Sequence, residues 1–330
     1  MTDKEDNTQS TEEISMNQSK LVVFLALQSI KGFGMASSLA FYRYTKNVDV
    51  DWSDIGAVYQ YLQKAMKGES RLKKTSKEEV ESALMLIPQL LNQYQQLNIA
   101  IVPIWSENYP KRMLLLEKSP VILYGKGNLS LLNAKHTVAI IGTRSPTTIG
   151  YRNGFEYGQF AAQADFAVVS GLALGCDTAG HLGCLNHEGG QTIAILGYSL
   201  EQNIYPKQNA QLAEQILQKN GLLLSEYPLN THVTPGLLMQ RDQWQAALSD
   251  GVIVVETGIK GGTMHTVSFA KKFQREIGCF YSKDRDWQCA TSTQGNQLLL
   301  NEGKRSIENT ETLSEFLQNL KGEAINQIAQ

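Results

Sequence analysis

VAIIGTRSPTTIGYRNGFEYGQFAAQADFAVVSG, residues 138–171, decides the fold class. Val138–Ile141 is an unbroken apolar run. A glycine-containing loop follows, then a helical stretch from Tyr151 to Ala164, then a second apolar run, Phe166–Val169, closed by Ser170-Gly171. Strand, loop, helix and strand in about thirty residues make a crossover unit. Strands that are apolar at every position, rather than at alternate ones, are covered on both faces, as in a parallel sheet.

The same rhythm continues outward. Thr192–Leu196 ends in Gly197 and precedes a helical pattern at Ala210–Lys219. Leu222–Leu224 precedes one near Arg241–Leu248, and Val252–Val255 precedes Gly261-Gly262 and a helix to about Phe273. Ile277–Tyr281 is the last expected strand. Upstream, Ile99–Val102 and Val121–Tyr124 are short strands. Right-handed crossovers then wind an open α/β sheet in both directions. Residues 18–98 read differently, as helices. Leu21, Phe24, Leu25 and Leu27 mark one, Leu39 and Tyr42 another. Ala83, Leu84, Leu86, Ile87, Leu90 and Leu91 mark a third that contains Pro88, where a kink or break is expected. Residues 1–17, polar and rich in acids, read as a disordered tail. The expected organisation is therefore 1–17 tail, 18–98 helical domain and 99–330 sheet domain.

Hydrophobic residues are 42% of the 330, enough for a packed core, and the formal net charge of −2 excludes a binder held by bulk positive charge while leaving room for a local basic groove. Lys64, Lys67, Arg71, Lys73, Lys74 and Lys77 form a basic run that Glu69 interrupts, read as a solvated face. No apolar run approaches the roughly 18 residues a membrane span needs. Cys176, Cys184, Cys279 and Cys289 have no CxxC or metal-finger spacing and are expected as reduced thiols in a cytoplasmic protein.

In a doubly wound sheet, ligands collect at the carboxyl ends of the strands. The loops there are Gly142-Thr143-Arg144-Ser145, Ser170-Gly171, Gly197-Tyr198 leading to Tyr205-Pro206-Lys207-Gln208-Asn209, Ser225-Glu226, and Glu256-Thr257 through Lys260-Gly261-Gly262-Thr263. Small residues let backbone amides approach a ligand, helix N-termini favour anions, and Arg144, Lys207 and Lys260 add three positive side chains. Together these make a phosphate-binding rim. Neither GxGxxG nor GxxxxGK[ST] is present, so the rim is not that of a common dinucleotide or P-loop site.

Six stretches in this order resemble the DprA/Smf family of DNA-processing proteins: 109–132, 138–150, 168–185, 192–209, 222–228 and 251–272. The resemblance implies an extended Rossmann-like domain that dimerises, preceded by a small helical domain of the SAM or helix–hairpin–helix kind. It implies sequence-independent binding of single-stranded DNA and delivery of that DNA to the RecA recombinase, in DNA uptake and natural transformation. It needs no cofactor, metal or membrane. Carried over residue by residue, the DNA contacts fall on Gly142, Thr143, Arg144, Ser170, Gly171, Gly197, Lys207 and Asn209, with Lys260, Gly261, Gly262 and Thr263 in the last loop. Tyr198 or Tyr205 is a candidate for stacking a base. The family's Arg-Asn-Arg is Arg241-Asp242-Gln243 here, which keeps Arg241 as a candidate contact while one positive charge is lost and one negative charge gained. Gly32-Phe33-Gly34 between two helices resembles a phosphate-binding hairpin and adds Gly32 and Gly34 as candidates. Many members end in a winged helix, for which no room is expected after the helix near Glu311–Leu320.

A second class stays open: a nucleotide-binding sensor or hydrolase using the same loops, with phage defence as its setting. Asp177 and His181, four apart on one helix face, have the spacing of an acid–base pair, and equally of a dipole-stabilised Asp beside a hydrogen-bonded His.

Overall fold

The computed structural model describes residues 3–70, 72–114 and 116–328. The chain divides into two compact units, residues 1–98 with 118–122, and residues 99–117 with 123–330.

The first unit holds four helices: α1 (Asp3–Ser29), α2 (Met35–Thr45), α3 (Ile55–Gly68) and α4 (Lys77–Gln96). The segment read as a tail is drawn from Asp3 onward as the start of α1. Phe24, Phe41 and Trp52 form the centre, with ring centroids 5.6–6.2 Å apart. Asp54 caps α3 and the Ser76–Glu79 capping box starts α4. α4 runs through Pro88 without the expected break. Its buried positions are Val80, Ala83, Ile87 and Tyr94, while Met85 and Leu86 face solvent. Pro88 lies on that exposed side, where a carbonyl lacking its helical partner is open to solvation.

The second unit is built on one nine-stranded sheet, ordered β1-β2-β6-β5-β4-β3-β7-β8-β9. The strands are β1 (Ala100–Pro103), β2 (Ile122–Gly127), β3 (Thr137–Ile141), β4 (Ala167–Ser170), β5 (Thr192–Leu196), β6 (Leu222–Ser225), β7 (Gly251–Val254), β8 (Glu276–Phe280) and β9 (Arg305–Ile307). From β6 to β9 every pairing is parallel, and β2 joins β6 antiparallel. β9 was absent from the sequence reading: it is a three-residue edge strand, Arg305-Ser306-Ile307, with one apolar residue and no signal in periodicity.

Alternation along each buried strand supplies two cores. Val138, Ile140, Val168 and Ile253 pack with Tyr157 and Phe316 on one face, while Ala139, Ile141, Val252 and Val254 pack with Val267 and Leu299 on the other. The helices on the faces are α6 (Thr148–Gln163), α7 (Cys176–Asn186), α8 (Ala210–Gln218), α9 (Pro235–Ala247), α10 (Thr263–Lys272), α12 (Gln294–Asn301) and α13 (Thr310–Ile328), with the short α5 (Lys111–Leu114) and α11 (Arg285–Cys289) in connections. From β3 the chain winds through β4 and β5 to β6, then returns to β7 on the other side of β3. The crevice between the ends of β3 and β7 is thus the topological switch point, where such sheets bind ligands.

Candidate nucleic-acid interface

The switch point is tied shut at its base. The Thr143 amide donates to the Glu256 carbonyl at 2.7 Å, joining the loop after β3 to that after β7, and the Cys176 amide donates to the Thr143 carbonyl. The fully buried Glu256 carboxylate accepts from the Thr147 amide at 2.8 Å and the Thr147 hydroxyl at 2.6 Å. That hydroxyl also accepts from the Gly150 amide, capping α6. Gly150 is required there, because a Cβ would lie 2.2 Å from the Glu256 carboxyl. The loop is therefore pinned at Thr143 and Thr147, and Arg144 and Ser145 project between the pins into solvent.

A cleft of about 380 Å³ opens beside this loop. Gly142, Thr143 and Arg144 form one wall and Gly261, Gly262 and Thr263, at the start of α10, form another. Asp177, Arg241, Asp242 and Gln245 also line it. A smaller hollow adjoins, lined by Arg144, Gly171, Leu174, Tyr205 and Pro206 among others. Arg144 stands between the two. Lys207 follows Pro206 on one flank, and Lys260 sits between Gly258 and Gly261 on the other; both are exposed. Among the described residues none of the three cations is in an ion pair.

Other residues expected to touch DNA are turned inward. The Ser170 hydroxyl, fully buried, donates to the Ile140 carbonyl at 2.6 Å. The Asn209 amide nitrogen donates to the carbonyls of Leu172 and Ala173 and to Thr178 Oγ1, fastening the loop after β4. The Gly171 amide donates to Asp177 Oδ2 at 3.1 Å. Gly197 is packed against α9, where a Cβ would meet backbone of Leu237 and Leu238 at 2.9–3.0 Å. Arg241 is buried, its Nη1 3.9 Å from Asp177 and its Nε 3.5 Å from Asp242. These five hold the loops in shape. Tyr198 joins them: buried, its hydroxyl accepts from the Tyr205 amide and donates to the Tyr205 carbonyl, which leaves Tyr205, 44% exposed, as the stacking candidate.

Asp177 and His181 do not pair. Asp177 Oδ2 accepts from the Gly171 and Ala173 amides. His181 Nδ1 lies 2.7 Å from Thr192 Oγ1, whose proton goes to the Val168 carbonyl, so the ring nitrogen is the donor. Burial, with the nearby Arg241 charge, pushes the imidazole down to about 3, and it is neutral at physiological pH. Burial raises Asp177 above the usual carboxylate range and Asp242 to about 6, against the lowering effect of Arg241 on both. Gln245 was missed in the sequence; its signal is its spacing of four from Arg241 on one face of α9.

In the helical unit, the turn between α1 and α2 carries Gly32 at φ +87° and Gly34 as the N-cap of α2. The aliphatic part of Lys73 packs near Gly32, 3.4 Å from where a Cβ would stand. The basic run is partly neutralised, Lys73 by Glu79 and Lys77 by Glu81, and Lys64 lies over the Tyr61 ring; Arg71 is outside the described residues.

The family model for DNA recombination-mediator protein A matches residues 100–318. The chain belongs to that family. It is 37% identical over 192 residues to protein Smf of Synechocystis, a match covering 57% of this chain and 48% of that protein. It is 32% identical over 201 residues to the DNA processing protein DprA of Bacillus subtilis, covering 61% and 67%. The chain thus spans about half to two thirds of these relatives' length. The solved structure of DNA processing protein A from Helicobacter pylori, studied for its single-stranded DNA binding mode, superposes with a TM-score of 0.59 at 30% identity, covering 67% of this chain and 96% of that one. The structure of DprA from Streptococcus pneumoniae superposes with a TM-score of 0.70 at 24% identity over 88% of this chain and 95% of that one, a likeness of fold. The DprA/Smf resemblance and the α/β fold class read from the sequence both stand. No helix among the described residues is long and apolar enough to cross a membrane.

Proposed function

We propose that the rim at the carboxyl ends of the strands grips the sugar–phosphate chain of single-stranded DNA independently of sequence, as a binding module rather than an enzyme. The observation that carries this reading is Arg144: pinned on both sides by Thr143 and Thr147, free of any ion pair, and placed between two hollows with Lys207 and Lys260 on the flanking loops. A planar guanidinium there forks onto a phosphate, and the two lysines act as point charges on its neighbours. Thr143 and the glycines of the α10 entrance supply the wall beside it. Kinship to a DNA-binding DprA supports the same reading. On it, the protein works as a homodimer in the cytoplasm, two rims forming a longer track, and passes its strand to RecA during DNA uptake or processing.

The test is a salt titration of fluorescent oligo-dT binding. Arg144→Ala and Lys207→Ala should each weaken binding to all sequences and flatten the slope of log K against log salt by about 0.7. Unchanged affinity and slope in both variants would remove the proposal. A small-nucleotide reading has one observation in its favour, the volume of the cleft, about 380 Å³, which lies in the range of small-molecule sites. Nucleoside phosphates that neither raise Tm nor yield a product dismiss it.

A further inference from the structure

One group that lines the cleft has the wrong sign for a DNA strand. Asp242, on α9, shares the lining with Arg144, and its side chain keeps 15% of its surface open. Its Oδ1 accepts from Gln245 Nε2 at 3.2 Å. Its Oδ2 has no hydrogen-bond partner among the described residues and is open to the cleft. Arg241 does not tie the carboxylate down either. Its Nε lies 3.5 Å from Asp242 Oδ1 and lacks hydrogen-bond geometry. Asp177, the other carboxyl group beside Arg241, is different, because its Oδ2 holds the Gly171 and Ala173 amides.

Charge decides what a free carboxylate oxygen does here. A phosphate between Arg144 and the N-terminus of the ten-residue α10 shares the cleft with Asp242. Like charges repel far more strongly in a part-buried cleft than in water. One proton on Asp242 removes the conflict without moving any atom of the fold. Burial already pushes this carboxyl group up to about 6. The charged and titratable groups that act on it are Arg241 on its own helix, Asp177 in the first turn of α7, His265 in the first turn of α10 and Arg144 on the loop after β3. Arg241, His265 and Arg144 favour the carboxylate and Asp177 opposes it. A bound phosphate acts in the same direction as Asp177 and cancels the pull of Arg144, so it favours the acid further.

We infer that Asp242 couples strand binding to the uptake of a proton, being a carboxylate in the free protein and a carboxylic acid in the complex, whatever the base sequence. The proton comes from solvent and returns to it on release. This coupling rests on the strand-binding reading and adds its regulation: the rim grips more firmly as pH falls and lets go as pH rises.

The experiment titrates the full chain with fluorescent oligo-dT, and with a mixed-sequence strand of the same length, from pH 5 to pH 8 at fixed ionic strength. Affinity for both strands should fall about tenfold over this interval, the effect of displacing one carboxyl group by one pKa unit. Asp242→Asn, with folding checked by circular dichroism, should bind about tenfold tighter than the native chain at pH 8 and give a nearly flat profile. His265→Gln should keep the native slope. This second variant is needed because His265, exposed at the start of α10, strengthens binding in the same direction when it is protonated. Calorimetry of the native chain at pH 6.5, in two buffers of different ionisation enthalpy, should report uptake of about half a proton per strand. That measurement needs no variant. A flat native profile without proton uptake, with oligo-dT bound normally, overturns the coupling and leaves strand binding standing. A slope kept in Asp242→Asn and lost in His265→Gln belongs to the histidine and also overturns it. No oligo-dT binding at any pH overturns both readings.

Discussion

The guanidinium of Arg241 lies so close over Gly171 that a Cβ on that glycine would fall 1.2 Å from Nη1. The contact explains two features of the sequence together. Gly171 is small because Arg241 needs its space, and Arg241 reaches the cleft floor because Gly171 leaves it open.

Gly171→Ala should therefore push the guanidinium out of its seat. Overpacking of this kind costs about 1–3 kcal/mol, read as a lower urea midpoint. An unchanged urea midpoint would show that Arg241 is not held by this contact.

Thr147→Ala removes the cap of α6 and the hydroxyl donor to Glu256 Oε1, leaving the buried carboxylate with the backbone amide of residue 147 alone. A lost cap costs about 1 kcal/mol and a stranded buried acceptor about 1–3 more. Urea denaturation should show a loss of about 3 kcal/mol. Oligo-dT affinity should fall as well, because one of the two pins that fix Arg144 is weakened. Thr147→Ser, which keeps the hydroxyl, should restore most of both.

Glu226, at the end of β6, is buried, and neither carboxylate oxygen meets hydrogen-bond geometry, although Trp244 and Tyr227 lie beside it. Burial pushes its pKa up from 4.5 to about 7. Between those values the folded state keeps a proton that the unfolded state has released, so stability falls as pH rises from about 4.5 to 7. The penalty above pH 7 is on the order of 3 kcal/mol. Glu226→Gln should raise Tm at pH 8 and leave it nearly unchanged at pH 4.5. An equal effect at both values would remove this account.

Most strands were legible because a buried parallel strand is an unbroken apolar run bounded by glycine, a signal local to four or five residues. Val138–Ile141 and Thr192–Leu196 are read this way and found so. β9 was not legible, since an edge strand of three residues buries only Ile307. In α4, Leu86 was read as apolar face but is exposed, since the packed stripe follows Val80, Ala83 and Ile87.

By itself the sequence determined the order of strands and helices, the parallel sheet, the family, and the end of the sheet where the glycine-rich loops gather. Only the tertiary structure decided which polar residues of those loops look outward. Ser170 satisfies a carbonyl thirty residues away and Asn209 one thirty-seven away, whereas Arg144 has no such claim on it. A strand announces itself through neighbours along the chain. The direction of a polar side chain is set by whichever buried backbone group, distant in sequence, would otherwise lack a partner.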